Sequence, residues 1–138
     1  MTNALVGDGH CNDEMNTEEC NFDGGDCCGH CQTISVTLEN NALVAQGIKE
    51  GIYHNSSMVN GKASWTSTSQ AIWNDQEFSN WKIGFLDNIG TSTAGIYSDY
   101  GSECPFHLPS EKWKYSDNGW TSAEANEIHV ECLKGNFP

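Results

Sequence analysis

Cysteine placement constrains this chain more than any other sequence feature. Five of its seven cysteines fall within the 21 residues from Cys11 to Cys31, and only Cys104 and Cys132 follow. Such density in a short segment with few apolar residues is typical of a disulfide framework in an oxidising compartment. Because seven is an odd number, at least one thiol is expected to stay free or to pair with another chain.

The distribution of charged residues also changes at the end of the cysteine-rich segment. Residues 1–31 hold seven acidic residues and no lysine, whereas residues 32–138 hold twelve acidic residues and six lysines. We therefore predict two domains, an N-terminal module at 1–31 and a second domain at 32–138. The net charge of −13 argues against nucleic acid and against anionic membrane surfaces, because both require clustered lysine or arginine. No apolar run is long enough to predict a membrane span.

The N-terminal segment has the chemistry of a cation loop. Asp23 and Asp26 flank two glycines, which allow the sharp fold that brings both carboxylates to one point. Asp8 and Asn12 flank Cys11, which a disulfide would hold nearby. Calcium prefers six to eight oxygen ligands from carboxylates, amides and carbonyls. The apolar content is too low for a self-sufficient core, so metal and disulfides are expected to order this module.

The same stretch resembles the LNR module of Notch receptors and of pappalysin-type proteases. The resemblance covers about residues 6–31 and rests on Asp-Gly-His-Cys at 8–11, on Cys20 and on Phe-Asp-Gly-Gly-Asp-Cys at 22–27. It implies one Ca²⁺ ion, with ligands from the side chains of Asp8, Asp23 and Asp26, the backbone carbonyl of His10, and Asn12 as a weaker fifth.

The resemblance also implies a disulfide map for this module. It pairs Cys11 with Cys27, and Cys20 with Cys31 or Cys28. The module departs from the family because Met15 stands at a cysteine position and the two earliest cysteines have no counterpart. One of the usual three disulfides is therefore absent, and we expect a stronger dependence on the metal.

Zinc is the rival interpretation of this region. Cys28-Gly29-His30-Cys31 offers two thiolates and an imidazole, with His10 as a further ligand, and thiolates favour zinc over calcium. The second ligand pair of a zinc finger is missing, however. A further alternative is that this region is only an acidic, solvated turn in which the Asp-Gly-Gly-Asp sequence occurs by chance.

From Thr33 onward the sequence indicates short strands. Apolar residues alternate with polar ones at 33–39, 81–85 and 127–132, and shorter candidates lie at 51–54, 63–66, 70–74, 94–98 and 112–116. Turn signals separate them, at Asn60-Gly61, Asn74-Asp75, Asp87-Asn88 and 117–119. No segment predicts an amphipathic helix. We expect a mostly β chain with an antiparallel β-sandwich or small barrel, in which Cys104 and Cys132 pair and tie a loop to the last strand.

The core of this domain is predicted to hold the alternating strand residues together with further aromatic and aliphatic side chains: Tyr53, Trp65, Ile72, Trp73, Ile96, Tyr97, Trp113 and Tyr115. Trp120, beside Asn118-Gly119, is the tryptophan expected to be exposed. His54, His107 and His129 are expected at the surface or as capping residues. Asn55-Ser56-Ser57 is an acceptor pattern for N-linked glycosylation at Asn55.

The order of several short motifs resembles a small β-module of extracellular proteins from protists and marine invertebrates, which often stands beside LNR modules. These motifs are Gly51-Ile52-Tyr53, Asn60-Gly61-Lys62, Ala71-Ile72-Trp73, Trp81-Lys82-Ile83-Gly84 and Cys104-Pro105.

These patterns favour an extracellular, calcium-binding structural or adhesive module, which contacts other proteins or self-associates into a filament or matrix. We expect no catalysis, because the sequence contains no nucleophile elbow, zinc-protease helix motif or phosphate-binding glycine loop. One alternative is a carbohydrate-binding module that uses exposed aromatic residues. Another is a non-catalytic fragment of a larger secreted protein.

Overall fold

The computed structural model describes residues 28–99 and 104–135. They form one antiparallel sheet with a single short α-helix, α1 (Asn40–Gln46). The nine strands are β1 (Cys31–Leu38), β2 (Gly51–Asn55), β3 (Trp65–Thr66), β4 (Gln70–Asp75), β5 (Asn80–Phe85), β6 (Ile96–Ser98), β7 (Trp113–Ser116), β8 (Trp120–Ser122) and β9 (Ile128–Gly135). Short 3-10 helices lie at Cys28–His30, Gly47–Lys49, Leu86–Asn88, Pro105–His107 and Ser110–Lys112. No helix in these ranges is long and apolar enough to cross a membrane.

The sheet runs mostly as a meander. Strands β1 to β8 are neighbours in sequence order, and β9 returns to pair with β1, so the spatial order is β8-β7-β6-β5-β4-β3-β2-β1-β9. The predicted mostly β, antiparallel class is confirmed, and the single sheet curves into a half-barrel. Every strand predicted from the sequence is present, because each has the apolar or alternating pattern of a half-buried strand.

A row of side chains across five strands forms the centre of the core. Trp65 pairs with Ile72, Ile72 with Ile83, Ile83 with Ile96, and Ile96 with Tyr115. All five are at most 2% exposed. Because the side chains of neighbouring strands in such a row touch on the same face, this row stabilises both the curvature and the register of the sheet.

The opposite face of β4 and β5 is covered by the segment that follows β5. The Trp73 indole donates to the backbone oxygen of Thr91 at 2.8 Å. A Cβ atom on Gly84 would lie 3.0 Å from Ala94 and from the Trp73 ring. Glycine at this position therefore permits the close approach, which explains why all six residues of β4 are buried.

Glu127 connects the two ends of the sheet. Its Oε2 atom accepts hydrogen bonds from the Ala42 amide at 3.0 Å and from the Tyr115 hydroxyl at 3.2 Å. Its Oε1 atom accepts from the Glu124 amide at 2.9 Å. The carboxylate thus ties α1, β7 and the residue before β9 together, and three hydrogen bonds offset the cost of burying its charge.

Two predicted disulfide pairings were wrong, that of Cys104 with Cys132 and that of Cys20 with Cys31 or Cys28, whereas the pairing of Cys11 with Cys27 lies outside the described residues. Cys28 is bonded to Cys104 and Cys31 to Cys132, with Cα–Cα distances of 5.6 and 5.8 Å. Cys104 and Cys132 are therefore not partners, and neither Cys28 nor Cys31 is available to Cys20. The physical reason is sheet topology: β1 pairs with β9, which brings Cys31 to Cys132. The prediction had assigned Cys31 to the N-terminal module and had left Cys104 and Cys132 to pair with each other.

Three smaller expectations also need correction. The helix α1 was not predicted, because its seven residues are too few to show amphipathic periodicity. The predicted turn at Asn74-Asp75 is displaced: both residues belong to β4, and the chain reverses through Ser79, which has φ of 53°. Tyr97 was assigned to the core but is only partly buried.

Candidate ligand-binding pocket

The predicted calcium ligands Asp8, His10, Asn12, Asp23 and Asp26 lie outside the described residues, as do Cys11, Cys20 and Cys27. Their assignment therefore stays a prediction. Within residues 28–99 and 104–135, no group of three or more His, Cys, Asp or Glu side chains could hold a metal ion. The zinc alternative loses its thiolates, because Cys28 and Cys31 are both in disulfides.

Asn55 is the last residue of β2 and its side chain is exposed. Its Nδ2 atom donates a long hydrogen bond, 3.4 Å, to the backbone oxygen of Ser64. The acceptor side chain is thus accessible at the surface, and its glycosylation stays a prediction.

The described part of the chain contains a pocket of about 460 Å³ on the face of the sheet opposite to the core. Two of its lining residues, Lys82 of β5 and Tyr97 of β6, are cross-strand partners, and Tyr97 also pairs with Lys114 of β7. The residues that line it come from β5, β6, β8 and three connecting segments: Phe78, Asn80, Lys82, Ser92, Ala94, Tyr97, Ser98, Asp99 and Trp120.

Aromatic side chains form the outer wall of the pocket. The rings of Tyr97 and Trp120 meet edge to face, with centroids 4.6 Å apart and an interplanar angle of 82°. Trp120 is 54% exposed and Phe78 is 53% exposed. The tight turn at Asn118 and Gly119, with φ of 55° and 136°, folds β8 back on β7 and so carries Trp120 to Tyr97.

Lys82 forms the charged floor of the pocket. Its Nζ atom lies 3.5 Å from Asp75 Oδ2, and both side chains are at most 7% exposed. The same ammonium lies 4.9 Å from the centroid of the Tyr97 ring and 5.3 Å from that of Phe78. These cation–π contacts hold the two rings around an ammonium supplied by the protein itself.

A second ion pair borders the pocket nearer to solvent. Lys114 Nζ lies 2.9 Å from Asp99 Oδ1 and 5.8 Å from the centroid of the Tyr97 ring. The hydrogen bond to Asp99 raises the pKa of Lys114 above its ordinary value. Both side chains are more than a third exposed, so this pair contributes little to stability and serves mainly to orient the Asp99 carboxylate.

Asn80 and Ser98 link the strands beneath the pocket. Asn80 Nδ2 donates to the Ser98 backbone oxygen at 3.0 Å, and the Trp81 amide donates to Ser98 Oγ at 2.9 Å. Asn80 Oδ1 is buried and has no hydrogen-bond partner in the described part of the chain. Two hydrogen bonds thus fix the backbone that presents Lys82 and Tyr97.

Sequence reasoning found only one member of this pocket. It predicted that Trp120 is exposed, which is confirmed, but it placed Tyr97 in the core and did not single out Phe78, Lys82 or Asp99. The cross-strand register that joins these residues is a long-range property, and the sequence carried no local signal for it.

The arrangement suits a ligand of modest size with one apolar face and several polar groups. The volume falls in the range of small-molecule sites, about 300–1,000 Å³, which typically combine aromatic walls with a few polar groups. The pocket contains no catalytic constellation of a nucleophile, a base and an orienting group. Its aromatic and polar side chains together suit the binding of such a ligand.

Comparison with known proteins finds a match for the N-terminal segment only. No curated protein and no solved structure matches the chain. A protein-family model does match, and its match ends at Cys28, where the described fold begins. Residues 3–28 are similar to the LNR domain of Notch.

Proposed function

We propose that this protein is a non-enzymatic, extracellular structural or adhesive module, in which a calcium-binding LNR segment is fastened to a β-domain that contacts partners. Two independent features support an extracellular setting: the LNR match at residues 3–28 and two disulfides between distant parts of the chain. Disulfides of this kind persist in oxidising compartments. The proposed Ca²⁺ ligands are Asp8, Asp23, Asp26, His10 and Asn12.

The position of the disulfides is the observation that carries this proposal. Cys28, the last residue of the LNR match, is bonded to Cys104. Cys31, which lies three residues after Cys28, is bonded to Cys132. The junction between the LNR segment and the β-domain is thus linked covalently to two separate parts of that domain. Such a double anchor suits a protein that holds two modules together under load.

Calcium dependence of thermal unfolding tests this proposal. Ca²⁺ that binds the folded state stabilises it by mass action, so saturating Ca²⁺ should raise the melting temperature relative to EDTA. Asp23→Asn should abolish this difference, whereas Asp99→Asn, a matched change in the β-domain, should preserve it. Equal melting temperatures with Ca²⁺ and with EDTA in the unmodified protein would refute the proposed calcium module.

Self-association into a filament or matrix is a second candidate, favoured by exposed apolar side chains around α1. Val44 is 86% exposed and Ile48 is 63% exposed. Analytical ultracentrifugation over a range of concentrations tests this candidate. If the protein self-associates, large species should form as the concentration rises, and the double substitution Val44→Ser with Ile48→Ser should lower their proportion. A monomer at every concentration would exclude self-association.

A further inference from the structure

We propose that the pocket on the outer face of β5, β6 and β8 binds neutral carbohydrate, with Trp120 as the stacking platform. This function goes beyond the calcium-dependent module, because every residue that carries it lies in the β-domain. It also requires no metal, since the described residues offer no cluster of metal ligands at the pocket.

The aromatic wall of the pocket suits the apolar face of a sugar ring. A sugar ring presents a face of C–H groups that packs against an aromatic face, while its hydroxyls remain at the edges. Trp120 and Phe78 are both about half exposed and lie at the same opening. The edge-to-face contact with Tyr97 fixes the orientation of the Trp120 indole. A rigid aromatic platform binds with little loss of conformational entropy.

The charge balance excludes most other ligand classes. The position between the Phe78 and Tyr97 rings, where an aromatic site would bind a ligand cation, is occupied by Lys82 Nζ. Each lysine at the pocket already has a carboxylate partner: Asp75 for Lys82 and Asp99 for Lys114. The two pairs are neutral in sum, and the chain has a net charge of −13, so anionic ligands gain no net attraction.

The polar groups at the rim match hydroxyl groups. Lys114 donates to Oδ1 of Asp99, but a carboxylate has about four lone-pair positions and can accept further hydrogen bonds. The Asp99 side chain is 41% exposed, so a ligand can reach it. Ser92 also lines the pocket; its Oγ atom donates to Glu77 Oε2 at 3.3 Å and can accept a hydrogen bond from a ligand hydroxyl. Neutral saccharides combine this hydrogen bonding with an apolar face.

Tryptophan fluorescence provides a selective measurement. The other four tryptophans, Trp65, Trp73, Trp81 and Trp113, are at most 2% exposed, so iodide quenching of the intact protein reports mainly on Trp120. The probes are neutral oligosaccharides of glucose, N-acetylglucosamine, galactose or mannose, each titrated at millimolar concentrations. A sulfated oligosaccharide serves as the anionic comparison. We expect at least one neutral oligosaccharide to protect Trp120 from iodide, with or without EDTA.

Two variants locate the bound sugar. Trp120→Ala should weaken binding at least tenfold, measured by isothermal titration calorimetry, because it removes the stacking face from an exposed edge strand without disturbing the core. Phe85→Ala is the matched control, since Phe85 is 51% exposed and lies outside the pocket; it should bind as the unmodified protein does. Asp99→Asn should weaken binding less than Trp120→Ala does.

Three results would overturn the proposal. One is the absence of binding for every neutral oligosaccharide. Another is binding that survives Trp120→Ala unchanged, which would place the sugar elsewhere. The third is preference for the sulfated comparison, which would assign the pocket to an anionic ligand. Loss of calcium-dependent stability with sugar binding intact would contradict the calcium module alone, so the two proposals fail separately.

Discussion

Lys82 Nζ lies 3.5 Å from Asp75 Oδ2 in a part of the β-domain where both side chains are almost fully buried. The pair joins neighbouring strands β4 and β5 and supports the rings of Phe78 and Tyr97. An ion pair at this depth needs both of its members, because removal of one leaves the charge of the other buried without its counter-ion.

Lys82→Ala should therefore destabilise the protein strongly. Removing one partner of a buried ion pair typically costs about 3–5 kcal/mol in the free energy of unfolding. Lys114→Ala removes the lysine of the exposed pair and should cost only about 0–1 kcal/mol. Urea denaturation measures both. A loss for Lys82→Ala as small as that for Lys114→Ala would contradict the buried pair.

The disulfide map predicts which double cysteine variants retain a bridge. Cys28→Ser with Cys104→Ser removes one complete bridge and leaves Cys31 bonded to Cys132. The mismatched pair, Cys28→Ser with Cys132→Ser, breaks both bridges at once. Bridges that span 76 and 101 residues each contribute up to about 4–5 kcal/mol in the chain-entropy model. The mismatched variant should therefore be the less stable of the two.

Thiol titration and thermal unfolding of these two variants check that map. Peptide mapping under non-reducing conditions should find residue 31 linked to residue 132 in the first variant. If the mismatched variant were the more stable, or if Cys104 were found linked to Cys132 in the unmodified protein, the map would be wrong.

Lys49 predicts a pH dependence of stability. The residue is 3% exposed, and burial lowers the pKa of its ammonium below the ordinary 10.5. Between the folded and unfolded pKa values the unfolded chain binds more protons, so the free energy of unfolding rises with pH in that window. Below the folded pKa the full cost of burying the charge remains.

Lys49→Met should therefore be more stable than the unmodified protein at neutral pH, and the difference should shrink as the pH approaches 10. Denaturation curves from about pH 7 to about pH 10 test this expectation. Higher pH is avoided because burial also raises the pKa of Tyr53, and tyrosine ionisation in the unfolded chain would then lower stability. If Lys49→Met were less stable than the unmodified protein at neutral pH, and the difference did not change with pH, this expectation would be contradicted.

Secretion from a eukaryotic host should yield glycan on Asn55, because this side chain is exposed at the end of β2. Intact mass spectrometry should detect the added mass, and Asn55→Gln and Ser57→Ala should each remove it. Ser56→Ala, which leaves the acceptor pattern intact, is the matched control and should retain the glycan. Glycan-free secreted protein would refute the prediction.

The strands were predictable because their signal is local. Ile34, Val36 and Leu38 alternate with polar residues and are all buried in β1, as a half-buried strand requires. The three-residue strand β8 escaped prediction, since Trp120–Ser122 is exposed throughout and has no alternation to detect. Local pattern therefore predicted the framework but not its most exposed edge.

The disulfides and the pocket depend on long-range contacts instead. Cys28 and Cys104 lie 76 residues apart, and no spacing rule connects them. Lys82, Tyr97 and Lys114 meet only because three strands adopt one register. The sequence predicted that Trp120 is exposed, yet it predicted that its partner Tyr97 lies in the core, because a large aromatic side chain in a strand is usually buried. Side chains whose role arises from cross-strand position are thus hidden until the fold is known.

Isothermal titration of Ca²⁺ into the metal-free protein measures directly whether the chain holds a calcium site. We expect one site per chain, and Asp26→Asn should weaken it severely, because a carboxylate carries much of the attraction for this hard cation. Lys114→Ala, remote from the predicted ligands in sequence, should leave the titration unchanged. Absence of Ca²⁺ binding to the disulfide-intact protein, or an affinity that Asp26→Asn leaves unchanged, would rule out the proposed calcium site.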